Sequence, residues 1–325
     1  MSEMVKKMDR RAWGLKPSGL YAGLLLLLCL AAWPALMGPY VLHVAILVCL
    51  NILIVNGLSI IERAGQLSFG HSAFVAFGAY GSVLMSMHFG LSPMAGGVLA
   101  LILAAIIALV LGGVILRLKG VYFVLVTFAF AELTRLALMD WADLTGGANG
   151  IAAIPAFELF GYAFDTRPRF YGLVLVAVAF SIILTYRIFR NPLGEAFRAV
   201  AENGALAEST GLSVYRLQLL AFIIGCMLAA LGGVLMARYI GFVSPESFNL
   251  NVSVGLVTML VIGGRGSLWG PAVGAIVLTT LPEVFRGALQ TQHIFYGIAL
   301  ILILRFLPGG LAGVPGLLRG RQKVS

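Results

Sequence analysis

Long apolar runs separated by short polar joints dominate the chain. Several of them approach the roughly 20 residues that a helix needs to cross a bilayer. In order they predict ten spans: Gly19–Leu36, Pro39–Ile60, Gln66–Met87, Pro93–Leu116, Val121–Met139, Phe170–Phe189, Leu217–Ala237, Asn249–Ile262, Pro271–Phe285 and His293–Leu307. The eighth and ninth are short and are expected to be tilted, broken or partly crossing, which is tolerable where neighbouring spans shield the backbone from lipid. The fold class is therefore all-α, a polytopic membrane protein of about ten transmembrane helices.

One long polar interruption in the second half, Arg187–Arg216, also reads as helix. Asn191-Pro192 supplies a cap and a first-turn proline, Glu195 sits where a helix N-terminus favours an acid, and Gly211 can close the last turn in the left-handed conformation. Ala196, Ala199, Val200 and Ala207 fall at helical spacing, with Arg198, Glu202 and Glu208 elsewhere on the surface. The stretch is one broken helix or two short ones, divided near Asn203-Gly204. It is either a solvated connector or a platform for a soluble partner.

Composition agrees with a membrane protein: of 325 residues 60% are hydrophobic and 11% charged, against roughly 25% charged in a soluble domain. Cys29, Cys49 and Cys226 all lie in apolar runs, which argues for buried thiols and against a disulfide framework. The formal charge of +9 is a matter of membrane sidedness, and no nucleic-acid partner is expected. Lys6, Lys7, Arg10, Arg11 and Lys16 precede the first span, as in a signal anchor. With a cytoplasmic N-terminus, 17 of the 22 lysines and arginines fall inside, while Arg167, Arg169, Arg238 and Arg286 fall outside and Arg135 lies within a span. This asymmetry predicts both termini in the cytoplasm. Five spans in each half would make the halves inverted repeats. The expected divisions are a cytoplasmic basic segment over 1–18, a transmembrane domain over 19–307 containing the cytoplasmic loop 190–216, and a cytoplasmic basic tail over 308–325.

Four stretches could carry chemistry. Glu62–Tyr80 is unusually polar, and as one helix it would align Ser68, Ser72, Ala76 and Ala79 on one face, a seam for close helix packing or a wall of a path. His71 beside them is more often a hydrogen-bonded packing residue than a proton relay. In the fifth span Thr127 precedes Glu132 and Arg135, which stand three apart on one face. Glu132 is expected to face the interior or a watery path, as a structural ion pair or a path group, because an ionised group at mid-membrane costs about 2.5 to 3.5 kcal/mol. Leu144-Thr-Gly-Gly-Ala-Asn-Gly-Ile151 reads as a turn or as a contact near an outer gate. Gly263-Gly-Arg-Gly-Ser-Leu-Trp-Gly-Pro271 is rich in glycine but lacks the Lys-Ser/Thr of a phosphate-binding loop, so it is no ATP site. No catalytic residue, metal or cofactor is expected.

These stretches together resemble the branched-chain amino acid ABC transporter permeases, the LivM-like subunits in particular. The resemblance rests on Gly65-x-x-Ser-x-Gly-His71-x-x-Phe-x-x-x-Gly-Ala-Tyr80, Tyr122-Phe-x-x-x-Thr127-x-Ala-Phe-Ala-Glu132, Leu144-Thr-Gly-Gly-x-x-Gly150, the 263–271 turn and Pro308-Gly-Gly-Leu-Ala-Gly313. Arg198-Ala-Val-Ala-Glu-Asn203 and Gly211–Phe222 are similar to the family's cytoplasmic coupling loop. The family's Glu-Ala-Ala triplet is here Ala205-Leu206-Ala207, without the acid, and the trailing Ile-x-Leu-Pro is absent. The resemblance implies a non-enzymatic permease of a bacterial inner-membrane importer, surrounded by lipid, with two ATPase subunits below, a solute-binding protein above and a second related permease beside it. It also implies ATPase coupling through Glu195, Ala196, Arg198, Ala199, Glu202, Ala207 and Gly211. A translocation path is expected near Ser68, His71, Ser72, Ala76, Thr127 and Glu132. Relatives with these signatures also carry urea, amides and aromatic compounds, and no side chain here chooses among them. Two rivals stand beside this reading. One is an ion-coupled transporter using Glu132, His71 and Arg135. The other is an intramembrane enzyme on Ser68, His71 and Ser72, whose spacing along one helix lacks the independent placement of an activated nucleophile.

Overall fold

The computed structural model describes residues 38–118, 120–159 and 161–284. The basic segment 1–18, the first and tenth spans, Cys29 and the tail from Pro308 lie outside the described residues.

Helix α1, Pro39–Arg63, starts on a proline, whose missing N–H falls among the donors that a first turn leaves unpaired anyway. It closes through Gly65 at φ +84°, whose N–H donates to the Glu62 carbonyl at 2.9 Å while that of Gln66 reaches Ile61 at 3.3 Å. This paired C-terminal bonding needs the left-handed residue that glycine supplies. Next come α2 (His71–Phe89), α3 (Pro93–Ile115) and α4 (Val121–Asp140), then a connection holding α5 (Ala142–Thr145) and a 3-10 turn (Gly147–Asn149). Strands β1 (Ile151–Ala152), β2 (Glu158–Leu159) and β3 (Tyr162–Ala163) lead into α6 (Arg167–Arg190), α7 (Pro192–Glu202), α8 (Gly204–Ser209) and α9 (Val214–Ile240). Strand β4 (Phe242–Val243), a 3-10 turn (Pro245–Phe248), α10 (Leu250–Gly263) and α11 (Gly270–Val284) follow.

Seven of these stretches are long and apolar enough to cross a membrane: α1 to α4, α6, α9 and the continuous run Pro245–Gly263. The apolar part of α11, Gly270–Pro282, is shorter. The chain is thus a multi-pass membrane protein. Two details differ from the all-α expectation. The strands form two short antiparallel ribbons, β1 with β4 and β2 with β3. The third span begins at His71 and not at Gln66, because the turn at Gly65 ends α1 and residues 64–70 pass through the bundle as non-helical backbone.

Helix α9 is the centre of the packing, lying against α1, α2 and α3. Lipid tails are as apolar as leucine, so close contact between small residues must hold such helices together. A Cβ on Gly57 would stand 2.4 Å from the Gly225 carbonyl oxygen and one on Gly225 2.5 Å from that of Gly57, so both must be glycine for α1 and α9 to touch backbone to backbone. Gly78 and Gly233 do the same for α2 and α9. Side-chain hydrogen bonds add direction: Asn56 Nδ2 donates to Ser181 Oγ at 2.9 Å and Asn51 Nδ2 to Thr279 Oγ1 at 2.8 Å. Cys49 and Cys226 are buried and free.

Candidate functional site

The polar interruption folds as two short helices. Asn191 takes the extended conformation before Pro192, and Glu195 occupies the first turn of α7. The chain breaks at Asn203, whose side chain accepts from the Leu206 N–H at 3.1 Å and so caps α8. Gly211, at φ +87°, closes α8 as Gly65 closes α1, with the Leu212 N–H on the Ala207 carbonyl at 3.1 Å. The break and the Gly211 closure lie where the sequence pattern placed them, whereas Asn191 precedes α7 without a side-chain capping bond.

The buried face of this pair differs from the alanine stripe. Phe197 is fully buried in one apolar cluster with Ile60, Ala64, Phe189 and Leu268, and Val200 is buried at 5% exposure. Ala207 also points inward, at 4% exposure, so it cannot meet a partner directly. Ala196 and Ala199 are half-buried at the flank, and the exposed face carries Glu195, Arg198, Glu202, Leu206 and Glu208. Val200 and Ala207 of the expected stripe are buried; Phe197, three residues before Val200, is the buried residue that the stripe left out. On the outward face Arg198 Nε donates to Glu202 Oε1 at 2.8 Å, and this partner pushes the arginine's pKa above its ordinary value.

The helix pair is tied to the ends of the spans. A Cβ on Gly65 would lie 2.9 Å from the Cα of Ala201, so the α1–α2 connection touches α7 at backbone distance. Arg63 stacks over Phe189 at 4.8 Å and donates to the Gly266 carbonyl at 3.1 Å, drawing the 263–271 turn to the same end. Gln218 Nε2 donates to the Ala64 carbonyl at 3.3 Å. A cavity of about 410 Å³ lies beside this junction, lined by Gln66, Arg117, Val200, Glu208 and Tyr215 among others.

The 64–70 connection leads from that junction into the core. Ser68 lies outside α2, so it cannot share a helical face with Ser72, Ala76 and Ala79; its Oγ accepts from the Gly70 N–H at 3.2 Å. Thr127 of α4 braces the same connection, accepting from the Phe69 N–H at 3.2 Å and donating to Val124 at 2.9 Å. Ser253 Oγ of α10 donates to Ser72 Oγ at 2.7 Å. His71 Nε2 donates to the Ile54 carbonyl at 3.1 Å, and its Nδ1 has no hydrogen-bond partner. Ser68, His71, Ser72, Ala76, Ala79 and Thr127 are all buried, but so are Phe74 and Val75 on the other sides of α2. The first turns of α2 are enclosed on every side, and a special exposure of the small-residue face is not what the chain presents.

Glu132 departs from its expected interior position. Its side chain keeps 36% exposure, paired with Arg135 at 2.5 Å, and Arg135 NH1 reaches Glu246 of the 3-10 turn at 2.6 Å. The ion pair joins α4 to the β4–α10 connection. The Leu144–Ile151 stretch is likewise built and no loose turn: Thr145 Oγ1 donates to the Trp141 carbonyl at 2.8 Å, and a Cβ on Gly150 would meet the Val243 carbonyl oxygen at 2.2 Å. Arg238, counted among the outside charges from sequence, is 4% exposed and donates to Pro155, Ser82 and Ser86.

A multi-pass bundle with a buttressed polar helix pair at one end and enclosed hydroxyls at its centre has the build of a transport component. The chain belongs to the family described as branched-chain amino acid transport system / permease component, whose model matches residues 40–306. It is 34% identical over 315 residues to the high-affinity branched-chain amino acid transport system permease protein LivM of Escherichia coli K12, covering 88% of this chain and 73% of that protein. It is 28% identical over 191 residues to LivH of Salmonella typhimurium, with 55% of this chain and 60% of that protein covered. The autoinducer 2 import system permease protein LsrC of Enterobacter sp. strain 638 is 32% identical over 139 residues, 40% of each chain. No solved structure matches. None of these relatives is named as an ion-coupled transporter or an enzyme.

Proposed function

We propose that this chain is the membrane-spanning subunit of a bacterial inner-membrane ABC importer for branched-chain or related amino acids. Two separate ATPase subunits hydrolyse ATP, a second related permease lies alongside, and an extracytoplasmic protein delivers the solute. Ten spans with both termini in the cytoplasm, arranged as inverted halves of five, complete the arrangement. The observation that carries the reading is the α7–α8 pair: Phe197 and Val200 lock it to the bundle while Glu195, Arg198, Glu202 and Leu206 are turned away from it. A loop serving only as a connector needs no such anchor. Closure of the ATPases pushes this pair, and the backbone contact of Ala201 with Gly65 passes the displacement to the 64–70 connection and so to Ser72 and Ser253. The subunit makes different contacts in two states and does no bond chemistry. The transport reading also draws on the LivM relationship, which supports the substrate class.

The test is reconstitution of the whole importer with Leu206→Asp, at 63% exposure the most open large apolar side chain of the platform. ATP-driven leucine uptake falls by more than tenfold while the chain stays inserted and ATP hydrolysis loses its dependence on the loaded binding protein. Undiminished, coupled uptake in Leu206→Asp and in Arg198→Glu overturns the assignment.

A further inference from the structure

A cavity of about 370 Å³ opens at the opposite end of the bundle from α7–α8, where α1 and α6 begin and α9 ends. Phe164, Asp165, Arg167, Phe170, Arg238 and Tyr239 stand in its lining. Arg238 is the unusual member. Its NH1 donates to the Pro155 carbonyl at 3.1 Å, and its NH2 to the Ser82 carbonyl at 3.1 Å and to Ser86 Oγ at 2.6 Å, all neutral groups. Its Nε is buried with no hydrogen-bond partner. Among the described residues no carboxylate pairs with this guanidinium. A buried cation held only by neutral acceptors lacks the counter-charge that offsets its desolvation.

Other parts of the lining favour the same missing charge. Arg167 lies in the first turn of α6 and donates to the Pro39 carbonyl at 3.3 Å on the rim. The start of this 24-residue helix brings unpaired N–H groups and the positive end of its dipole to the cavity. Asp165 adds one acid, partnered by Arg169 at 3.0 Å. Phe170 stacks on Tyr239 with centroids 5.1 Å apart and, with Phe164, makes the wall apolar. Two guanidiniums and a helix N-terminus recognise a carboxylate, an aspartate recognises an ammonium, and the rings accept an apolar body. A phosphodiester would suit the cations but be repelled by Asp165.

We infer that this cavity is a binding site for an apolar α-amino acid as its zwitterion, on the face where solute arrives before it enters the bundle. The inference rests on the transport reading above and adds a receiving site on the permease itself. The experiment measures saturable binding of tritiated L-leucine to the full chain in nanodiscs of neutral lipid. Arg238 also holds Ser82, Ser86 and Pro155, so Arg238→Gln can lose the fold; Arg167→Gln on the rim keeps the test decisive. Leucine binds the unaltered chain, and each arginine substitution, like Asp165→Asn, weakens binding by about tenfold or more, the range for one hydrogen bond to a charged group. Isovalerate and isoamylamine, each carrying half of the zwitterion, compete more weakly than leucine. Absence of saturable binding, or binding unchanged in Arg167→Gln and Asp165→Asn, overturns the site. Loss of leucine binding in nanodiscs containing phosphatidylglycerol also overturns it and gives the cavity to a lipid headgroup. ATP-driven leucine uptake by the complete importer in cells separates the two conclusions: with uptake intact a negative binding result removes only this site, whereas absent uptake of every branched-chain amino acid removes the transport reading.

Discussion

The two ends of the bundle handle charge in opposite ways. At the α7–α8 end the ion pair Arg198–Glu202 stands in the open, with side-chain exposures of 52% and 65%, and the buried contribution comes from a phenylalanine. At the other end two arginines are drawn into the structure: buried Arg238 gathers a loop carbonyl and two serines of α2, and half-buried Arg135 ties α4 to the β4–α10 connection. Exposed pairs contribute little to stability, whereas a buried cation whose partners are removed is costly. The open pair is therefore free to serve a partner without cost to the fold, while Arg238 and Arg135 hold the fold together whatever else they meet.

The contrast is broken most directly by removing the anchor at the open end. Phe197→Ala deletes a fully buried ring, a class of change that costs about 3–5 kcal/mol. Because the ring joins only α7 to the bundle, we expect the spans to remain inserted while α7–α8 becomes sensitive to protease and uptake is lost; an unaltered digestion pattern would contradict the anchoring role. Next in size is Arg238→Met, which removes the guanidinium's hydrogen bonds to the Ser82 and Pro155 carbonyls and to Ser86 Oγ while Ser86 Oγ keeps its own bond to the Ser82 carbonyl, a loss of about 1–3 kcal/mol in all. Thermal unfolding in detergent should fall clearly, and here the loss spreads over α2, α9 and the 151–159 connection together. A smaller effect is expected of Glu246→Gln, since Arg135 keeps Glu132 and Glu246 is exposed: about 0.2–1 kcal/mol. Hydrogen exchange in the Pro245–Phe248 turn should rise while that of α4 stays as it was.

These differences also mark what the chain's pattern could disclose. The division at Asn203 and the closure at Gly211 were readable because capping chemistry is local, fixed by residues a few positions apart. The start of α2 was not legible because nothing local to Gln66–Gly70 forbids helix, and the side chain that braces its non-helical backbone, Thr127, lies far along the chain. The burial of Arg238 was not legible because Ser82 and Pro155, to which it donates, are 156 and 83 residues away in sequence. The Glu132–Arg135 ion pair was legible because the two stand three apart on one helix, whereas their place at the margin of the bundle depends on Glu246, 111 residues further on. The family motifs mark the enclosed 65–80 stretch, while the cavity at Arg238 uses residues from connections that no motif covered.

The finest test concerns the open ion pair, where stability and function should part. Exchanging its members, Arg198→Glu with Glu202→Arg, keeps a pair four residues apart on the same face of α7. The exchanged order is the better one for a helix: the acid moves toward the N-terminus of α7 and the base toward its C-terminus, complementing the dipole. Stability should hold within a few tenths of a kcal/mol, since the repulsion of the new acid at 198 from Glu195 offsets the gain from the better order. A partner surface that reads this face meets reversed charges at both positions, and like charges brought together across an interface raise the cost of docking. We therefore expect uptake to fall although the chain unfolds at the same temperature, with most of the activity returning at raised salt if the effect is screened repulsion. Uptake unchanged by the exchange would assign recognition to Leu206 and the shape of the pair, leaving Arg198 and Glu202 as a solvated surface.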